Sequence, residues 1–542
     1  MLSRVGGLVA IAGVLALPFL LRPKDHLLDP AGEPLVILTP HNEAIRYEFA
    51  RGFRNHIRET TGRRVRIDWR TPGGTNEITR FIASEYTTAF ESYWKGRLGR
   101  KWTAQVAFAF ANPAIQASEG GAGNLDGAVL ARKTFLDSDV GIGIDLLFGG
   151  GNPAAVRLAA SGWLVDARPA TPGGELAGGR EIPDVVGGSR FRDQEGRWIG
   201  TCLSAFGICF NRDVLSRLGV DSVPEAWRDL ADPVYFGQLA LADPTKSGSA
   251  AAAFEMVIQE QMNLREAELE KEPGTSAAEV EERAPREGWE RAMRLIRRFG
   301  ANARYFSDAA PKIALDVAAG DAAAGMCIDF YGRFQSEAVA KGGSSRIGFA
   351  MPRAGTSIDA DPIGLLRGAP HRDLAIAFIE FVLSPRGQKL WDFKVGAPGG
   401  PERYALRRLP ISPALYAPEY DAFRSDPEEH PYEQARSFSY RGAWTAPLLR
   451  SIAFVVKVMC VDTEDDLREA YRSLVLHSFP PRATAAFDDI ALVDYEAAKG
   501  PIRAALASGN SVDEAAIANR LVGALRSQYR AVAELARNGD RR

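Results

Sequence analysis

The apolar and polar positions near the start of the folded chain alternate between strand-like and helix-like patterns. Leu35–Leu38 is a short apolar run, and apolar residues then recur at four-residue steps from Ile45 to Ile57. Val65–Trp69 alternates as a second strand, and Glu77–Ile82 opens another helix. The first pattern is typical of a buried strand and the second of a helix packed on a sheet. Their order predicts parallel βαβ units, and so an α/β fold.

The same alternation returns in the second part of the chain, which predicts a second α/β unit. The predicted strands are 206–210, 239–242 and 325–328, and the predicted helices run from about 249 to 262 and from 373 to 383. Ser384 and Pro385 predict a further helix start, because a capping hydroxyl precedes proline at the first helical position. From about residue 400 the pattern is mostly helical. A chain of 542 residues also exceeds one ordinary core.

The first residues have the pattern of an export signal. Arg4 precedes an apolar run from Val5 to Leu21, and Arg22 follows it. A positive residue before an apolar core is typical of secretion. Residues 1–26 are therefore expected to be a signal peptide or an uncleaved membrane anchor, and both alternatives stay open. Either one predicts a periplasmic or otherwise extracytoplasmic protein.

Composition and motifs exclude several classes of function. Basic and acidic residues nearly cancel, at 66 and 68, so no nucleic-acid partner is expected. The four cysteines have neither the spacing of a zinc site nor a disulfide framework, although a Cys202–Cys209 bridge stays open. No phosphate-binding loop, metalloprotease or serine-hydrolase motif is present, and the six histidines are dispersed. We therefore expect a protein that is not an enzyme and has no cofactor.

Polar turns follow four predicted strands and each opens a helix. Helix N-termini present unpaired N–H groups with a partial positive charge, and ligands bind at such turns in open α/β sheets. Ordinary helix capping explains any one turn alone, but four together favour a cleft. The candidate ligand-binding residues in these turns are His41, Asn42, Gly74, Thr75, Gly150, Gly151, Asn152, Thr245, Ser247, Gly248 and Ser249.

Several segments, in their order and spacing, resemble the bacterial extracellular solute-binding proteins of ABC transporters. They are Asp145–Asp166, Gly207–Asp213 with Pro224–Leu230, Asp243–Ser249 and Asp361–Gln388. The resemblance covers about residues 34–400. It implies a two-lobed periplasmic-binding-protein fold of type II, with crossing hinge strands and closure around a small ligand. It also implies a monomer whose partner is an ABC permease in the inner membrane.

The resemblance sets the expected domain boundaries. Lobe 1 is expected to comprise residues 34–205 and 346–400, and lobe 2 residues 206–345. Residues 401–542 are then a mainly helical C-terminal extension. The alternative functions are a membrane-anchored sensor or scaffold with the same fold, or an enzyme that uses a two-lobed cleft.

Within this family the chain is most similar to the branch that includes ferric-iron and phosphonate receptors. Iron receptors there use a histidine in the first turn and adjacent tyrosines late in lobe 2. His41 and Tyr331 match these positions as metal ligands, but Phe330 breaks the tyrosine pair. Asp329, Glu43 or a bound anion are the candidates to replace the missing phenolate. Ferric iron therefore stays one candidate ligand, beside a phosphonate, a phosphate ester or a carboxylate.

Overall fold

A computed structural model describes residues 32–115, 127–168, 176, 181–341 and 344–538. The strands are Glu33–Leu38 (β1), Val65–Arg70 (β2), Leu146–Phe148 (β3), Leu164–Val165 (β4), Val185–Val186 (β5), Ser189–Arg190 (β6), Ile199–Asn211 (β7), Leu239–Ala242 (β8), Ala303–Ser307 (β9), Ala324–Ile328 (β10), Ile347–Ala350 (β11), Ile358–Leu366 (β12) and Leu409–Pro410 (β13). The predicted export segment, residues 1–26, lies outside the described residues.

The helices fall into three groups along the chain. Those before residue 270 are Glu43–Thr61 (α1), Thr75–Ser92 (α2), Ala104–Ala109 (α3), Gly127–Leu136 (α4), Asn152–Ser161 (α5), Arg212–Arg217 (α6) and Gly248–Leu269 (α7). The next are Ala277–Asn302 (α8), Ala310–Ala319 (α9), Asp329–Ala338 (α10), Arg372–Leu383 (α11) and Pro385–Asp392 (α12). The last are Pro431–Arg436 (α13), Gly442–Thr445 (α14), Leu449–Val456 (α15), Glu464–Leu476 (α16), Pro481–Asp488 (α17), Tyr495–Ala497 (α18), Arg503–Ala507 (α19) and Ser511–Asn538 (α20).

One continuous strand path connects two α/β lobes. Its order is β2-β1-β3-β12-β7-β10-β8-β9. In lobe 1, β1 pairs in parallel with β2 and β3, as the βαβ pattern predicted. In lobe 2, β8 pairs in parallel with β9 and β10. The predicted α/β class and the two-lobed, type II-like architecture are therefore confirmed.

Strands β7 and β12 form the hinge between the lobes. Residues 199–205 of β7 pair antiparallel with β12, and residues 206–210 pair with β10 of lobe 2. All thirteen residues of β7 are buried, which fits a strand covered on both faces. The sequence pattern predicted only the second half of this strand. A single strand therefore belongs to both sheets and connects the two lobes.

The chain returns to lobe 1 later than the predicted boundary at residue 346. Strand β11 follows that residue, yet it pairs antiparallel with residues 208–211 of β7 and so belongs to lobe 2. The chain returns to lobe 1 with β12, which begins at Ile358. The prediction placed the boundary too early because β11, which joins lobe 2, and β12, which joins lobe 1, both have strand-like sequences.

Residues 401–542 are not one separate extension. Leu406, Leu409 and Ile411 pack in the core of lobe 1, and β13 pairs with β7. From Phe438 onward the chain packs instead in the core of lobe 2. Among the described residues, Gly442–Val461 is a helical stretch apolar enough to cross a membrane, with a mean hydropathy of 1.5, but 67% of it is buried in the protein. We interpret it as a core segment of lobe 2.

The four cysteines are all buried and none forms a disulfide. Cys202 and Cys209 both lie on β7, seven positions apart. At about 3.3 Å per residue an extended strand separates them by roughly 23 Å, which is far beyond the reach of a disulfide. The Cys202–Cys209 bridge considered from sequence is therefore wrong.

Candidate functional site

Helices from both lobes begin at the same cleft. Helices α2 and α5 of lobe 1 start close together, since a Cβ added at Gly150 would lie 3.7 Å from Cγ2 of Thr75. Helix α7 of lobe 2 starts opposite them, since a Cβ added at Gly248 would lie 4.0 Å from Oδ1 of Asn76. Three N-termini thus converge, and each presents unpaired N–H groups and a partial positive charge.

The turn between β3 and α5 must be made of glycine. Gly149, Gly150 and Gly151 have φ angles of 93°, 103° and 79°, a region that side chains with a Cβ rarely adopt. A Cβ at Gly149 would also lie 2.7 Å from Nε2 of His41. These glycines let the backbone pass directly over the imidazole, and the N–H of Gly151 donates to Oδ1 of Asp361 at 2.9 Å.

Four buried polar side chains meet at the hinge: His41, Ser204, Asp361 and Arg408. We call them the hinge cluster. Nη1 of Arg408 donates to Oδ2 of Asp361 at 2.7 Å, and its Nη2 donates to Oγ of Ser204 at 2.6 Å. Nε2 of His41 lies 3.1 Å from Oδ2 of Asp361 and 3.2 Å from Nη1 of Arg408. The cluster joins the turn after β1, both hinge strands and the residue before β13.

Burial and charge fix the protonation states in the hinge cluster. Burial opposes ionisation of Asp361, but the charge of Arg408, the contact with His41 and the N–H of Gly151 hold the pKa of this carboxyl well below its usual range. Burial lowers the pKa of His41, and the contact with Asp361 only partly opposes that effect. The cluster at neutral pH is therefore an Arg–Asp ion pair beside a neutral imidazole.

Helix α10 brings lobe 2 to this cluster. The guanidinium of Arg408 lies over the ring of Phe330, 4.3 Å from its centroid. Oδ1 of Asp329 accepts from the N–H of Phe330 at 2.8 Å, whereas its Oδ2 is buried with no hydrogen-bond partner in the described part of the chain. Burial raises the pKa of Asp329 to about 6, although the charges of Arg333 and Arg408 oppose the shift.

The structure gives local partners to several residues that the sequence proposed as ligand contacts. Oδ1 of Asn42 accepts from the N–H of Ile45 and Oγ of Ser247 accepts from that of Ala250, so both cap helices. Two other candidates also have hydrogen-bond partners within the protein. Oγ1 of Thr245 donates to Asp243 at 2.7 Å, and Nδ2 of Asn152 donates to the carbonyl of Arg190 at 2.6 Å. Local hydrogen bonds thus account for these four side chains, and their contact with a ligand stays a prediction.

Other candidates lie at the cleft through their backbone. Gly74 precedes α2 without a side-chain cap, and Gly248 and Ser249 form the first turn of α7. Tyr331 is half-buried in the first turn of α10, beside Phe330, and burial raises the pKa of its hydroxyl.

The predicted metal pair does not form a ready cation site. Nε2 of His41 already contacts a carboxylate and, at 3.2 Å, a guanidinium that repels cations. Within the described ranges there is no group of three or more His, Cys, Asp or Glu side chains suited to a metal ion. Ferric iron favours anionic oxygen ligands. Iron binding by His41 and Tyr331 stays a prediction.

The sequence pattern missed Arg408 and the role of Asp361. Asp361 stands before Pro362 at a shift in register between β12 and β7, a bulge that turns its side chain toward the cluster. Arg408 follows Arg407, which has a positive φ of 52°. Neither feature is visible in the sequence, because Arg408 and His41 are 367 residues apart.

Comparison with known proteins gives a family match over part of the chain. Residues 178–426 match the family of bacterial extracellular solute-binding proteins, which are binding proteins. An uncharacterized protein of Haemophilus influenzae is 23% identical over 215 residues, which is 39% of this chain and 53% of the relative. The likeness thus spans about half the length of that relative.

Three solved structures are weakly similar. The periplasmic binding protein AfuA from Actinobacillus pleuropneumoniae, bound to fructose 6-phosphate, is 16% identical, with 66% of this chain and 82% of that chain covered and a TM-score of 0.41. The apo ferric ion-binding protein A of Pasteurella haemolytica is 13% identical, with coverages of 78% and 98% and a TM-score of 0.44. The spermidine/putrescine-binding protein PotD of Streptococcus pneumoniae is 14% identical, with 79% and 99% covered and a TM-score of 0.46. Residues 178–426, a little under half of the chain, are thus similar to the bacterial extracellular solute-binding proteins.

Proposed function

We propose that this protein is the exported receptor of an ABC importer and that it captures a small anion in the cleft between its lobes. The observation that carries the proposal is the approach of α7 to α2, where Gly248 and Asn76 face each other across the cleft. Helix N-termini from two bodies that move about a hinge form a site that closes around negative charge. The protein acts as a monomer and delivers its ligand to a membrane permease.

The hinge cluster favours an anion over ferric iron in this proposal. Arg408 keeps its positive charge at the base of the cleft, and its one carboxylate partner in the cluster is Asp361. The neutral imidazole of His41 adds no negative charge, and its Nε2 is already engaged. Because the Arg408–Asp361 pair is neutral overall and His41 is engaged, the cluster supplies no free anionic ligand for a trivalent cation, and the helix N-termini favour a phosphonate, phosphate ester or carboxylate.

A thermal-shift screen tests the ligand class, because a ligand that binds only the folded state raises its melting temperature. The panel comprises phosphonates, phosphate esters, citrate, ferric citrate, spermidine and glucose. We expect stabilisation by an anion. If ferric citrate alone stabilises, with a visible charge-transfer band that Tyr331→Phe abolishes, the anion proposal is wrong and iron is the ligand.

Gly248→Val tests the site itself. A Cβ there meets only Asn76 within 4 Å, so the isopropyl group enters the gap between the lobes without disturbing a core. We expect the anion affinity to fall at least about tenfold while the melting temperature without ligand is unchanged. Gly523→Val is the matched control, since it adds the same group to helix α20 where nothing lies within 4 Å. Equal affinities for the two variants would contradict the proposed site.

A further inference from the structure

An exposed basic and aromatic surface lies on lobe 1, where α2 ends. We call it the basic–aromatic surface; it consists of Lys95, Arg97, Leu98, Arg100, Lys101, Trp102 and Phe108. From Tyr93 to Ile115 the sequence has four basic side chains and no acidic one, although the whole chain has a net charge of −2. This local excess of positive charge has no role in the proposed capture of a ligand.

The backbone holds this surface in a defined shape. A π-helical turn, Tyr93–Arg97, follows α2, and Nε1 of Trp94 then donates to the carbonyl of Lys101 at 3.1 Å. This bond folds the intervening loop back over the buried indole. Thr103 caps the next helix, α3, which carries Phe108. The cations and the exposed ring therefore stand on adjoining turns of one folded unit.

Three of the four cations of this surface lack acidic partners among the residues that the structure describes. The guanidinium groups of Arg97 and Arg100 lie over the rings of Tyr93 and Trp94, at 5.7 and 5.6 Å from their centroids. Within the described part of the chain, neither group pairs with a carboxylate, nor does Lys101, although Lys95 pairs with Glu91. Phe108 is 72% exposed, which is unusual for a phenylalanine side chain.

We propose that the basic–aromatic surface docks on a membrane whose surface carries anionic phospholipids. Unpaired cations attract such a surface, and aromatic rings next to them enter the boundary between headgroups and acyl chains. Three cations without a carboxylate partner among the described residues, followed along the chain by an exposed phenylalanine on the next helix, match both requirements. The opposite end of α2 starts at the cleft, and eighteen residues at 1.5 Å each separate the two ends by about 27 Å. Lobe 1 thus docks at the end remote from the ligand.

A fluorescent probe next to Phe108 tests the docking. The native cysteines are buried, so Ala104→Cys, at an exposed position, accepts an environment-sensitive dye selectively. The labelled full-length chain is mixed with vesicles of phosphatidylcholine alone or of phosphatidylcholine with phosphatidylglycerol. The apolar run at residues 5–21 is the same in both mixtures, so the difference between the lipids reports the charged surface. We expect a blue shift only with phosphatidylglycerol, reversed at high salt.

Charge reversal provides the decisive comparison. Replacing Arg97, Arg100 and Lys101 by glutamate in the labelled chain is expected to lower partitioning to phosphatidylglycerol vesicles at least about tenfold. The matched control reverses Lys499, Arg503 and Arg520, which are exposed on the C-terminal helices, and Lys499 likewise lies over a tyrosine ring. The proposal is overturned if both triple variants lose binding equally, if neutral vesicles give the same shift, or if neither lipid gives one.

Discussion

The hinge cluster and a second group of charges on α7 and α8 use the same chemistry in different surroundings. In the second group, which we call the α7–α8 network, Arg265 pairs with Glu268, Glu272 and Glu287 at 2.6 to 3.0 Å, and Arg283 and Arg291 add further pairs. Arg408 in the hinge has one carboxylate partner within the cluster, Asp361. The network is redundant and borders solvent, whereas the cluster is buried and gives Arg408 a hydrogen bond to one carboxylate.

This difference indicates that buried charges affect the stability of this protein more than charges near solvent do. Burying a charge is costly, so removal of its only partner leaves an uncompensated ion in a medium of low dielectric constant. An ion at the surface keeps its water and, in a network, its other partners. The side chain of Arg408 is 1% exposed, whereas that of Glu268 is 49% exposed. We therefore expect the two groups to respond very differently to the same kind of substitution.

The largest effect is expected from Asp361→Ala. It leaves Arg408 buried without its carboxylate and the N–H of Gly151 without its acceptor. The free energy of unfolding should fall by about 3–5 kcal/mol, as measured by urea denaturation at neutral pH. Asp137→Ala is the control, because that carboxylate is 63% exposed and pairs with Lys133 at the surface. A loss below about 1 kcal/mol for Asp361→Ala would show that the hinge cluster is not electrostatically isolated.

A smaller effect of opposite sign is expected from Asp329→Asn. Burial raises the pKa of Asp329 to about 6, above its value in the unfolded chain. Its protonated form therefore stabilises the fold below about pH 4, and that contribution is lost as the pH rises through about 6. The amide stays neutral throughout, so the variant should be more stable than the parent by about 2 kcal/mol at pH 8 and equally stable at pH 4.

Urea denaturation at both pH values measures this difference, with Asp221→Asn as the exposed control. Equal stability of the Asp329→Asn variant and the parent at pH 8 would mean that Arg333 and Arg408 fully compensate the buried charge. The hinge region would then resemble the α7–α8 network more closely than its burial suggests.

The local periodicity of apolar residues predicted many of the strands and helices. The contacts between residues far apart in the sequence could not be predicted in this way. The runs at Leu35–Leu38 and Val65–Trp69 became β1 and β2 almost residue for residue, because burial on one sheet imposes the pattern. The sequence after Leu264 is rich in charged residues, a pattern typical of a solvated helical face, yet Arg265 is only 9% exposed within its network. The hinge cluster was beyond such reasoning, since Asp361 is 320 residues from His41 and only the folded strands bring them together.

The smallest effect is expected from Glu287→Gln in the α7–α8 network. Glu287 accepts from Arg265 at 2.6 Å and from Arg283 at 2.8 Å, so it connects two arginines of the network. Arg265 nevertheless keeps Glu268 and Glu272, and solvent screens what remains. Urea denaturation should show a loss below about 1 kcal/mol that shrinks further at high salt, because exposed pairs are screened and buried ones are not. A loss as large as that of Asp361→Ala, unchanged by salt, would remove the distinction between the two groups, since redundancy and solvent would then offer no protection.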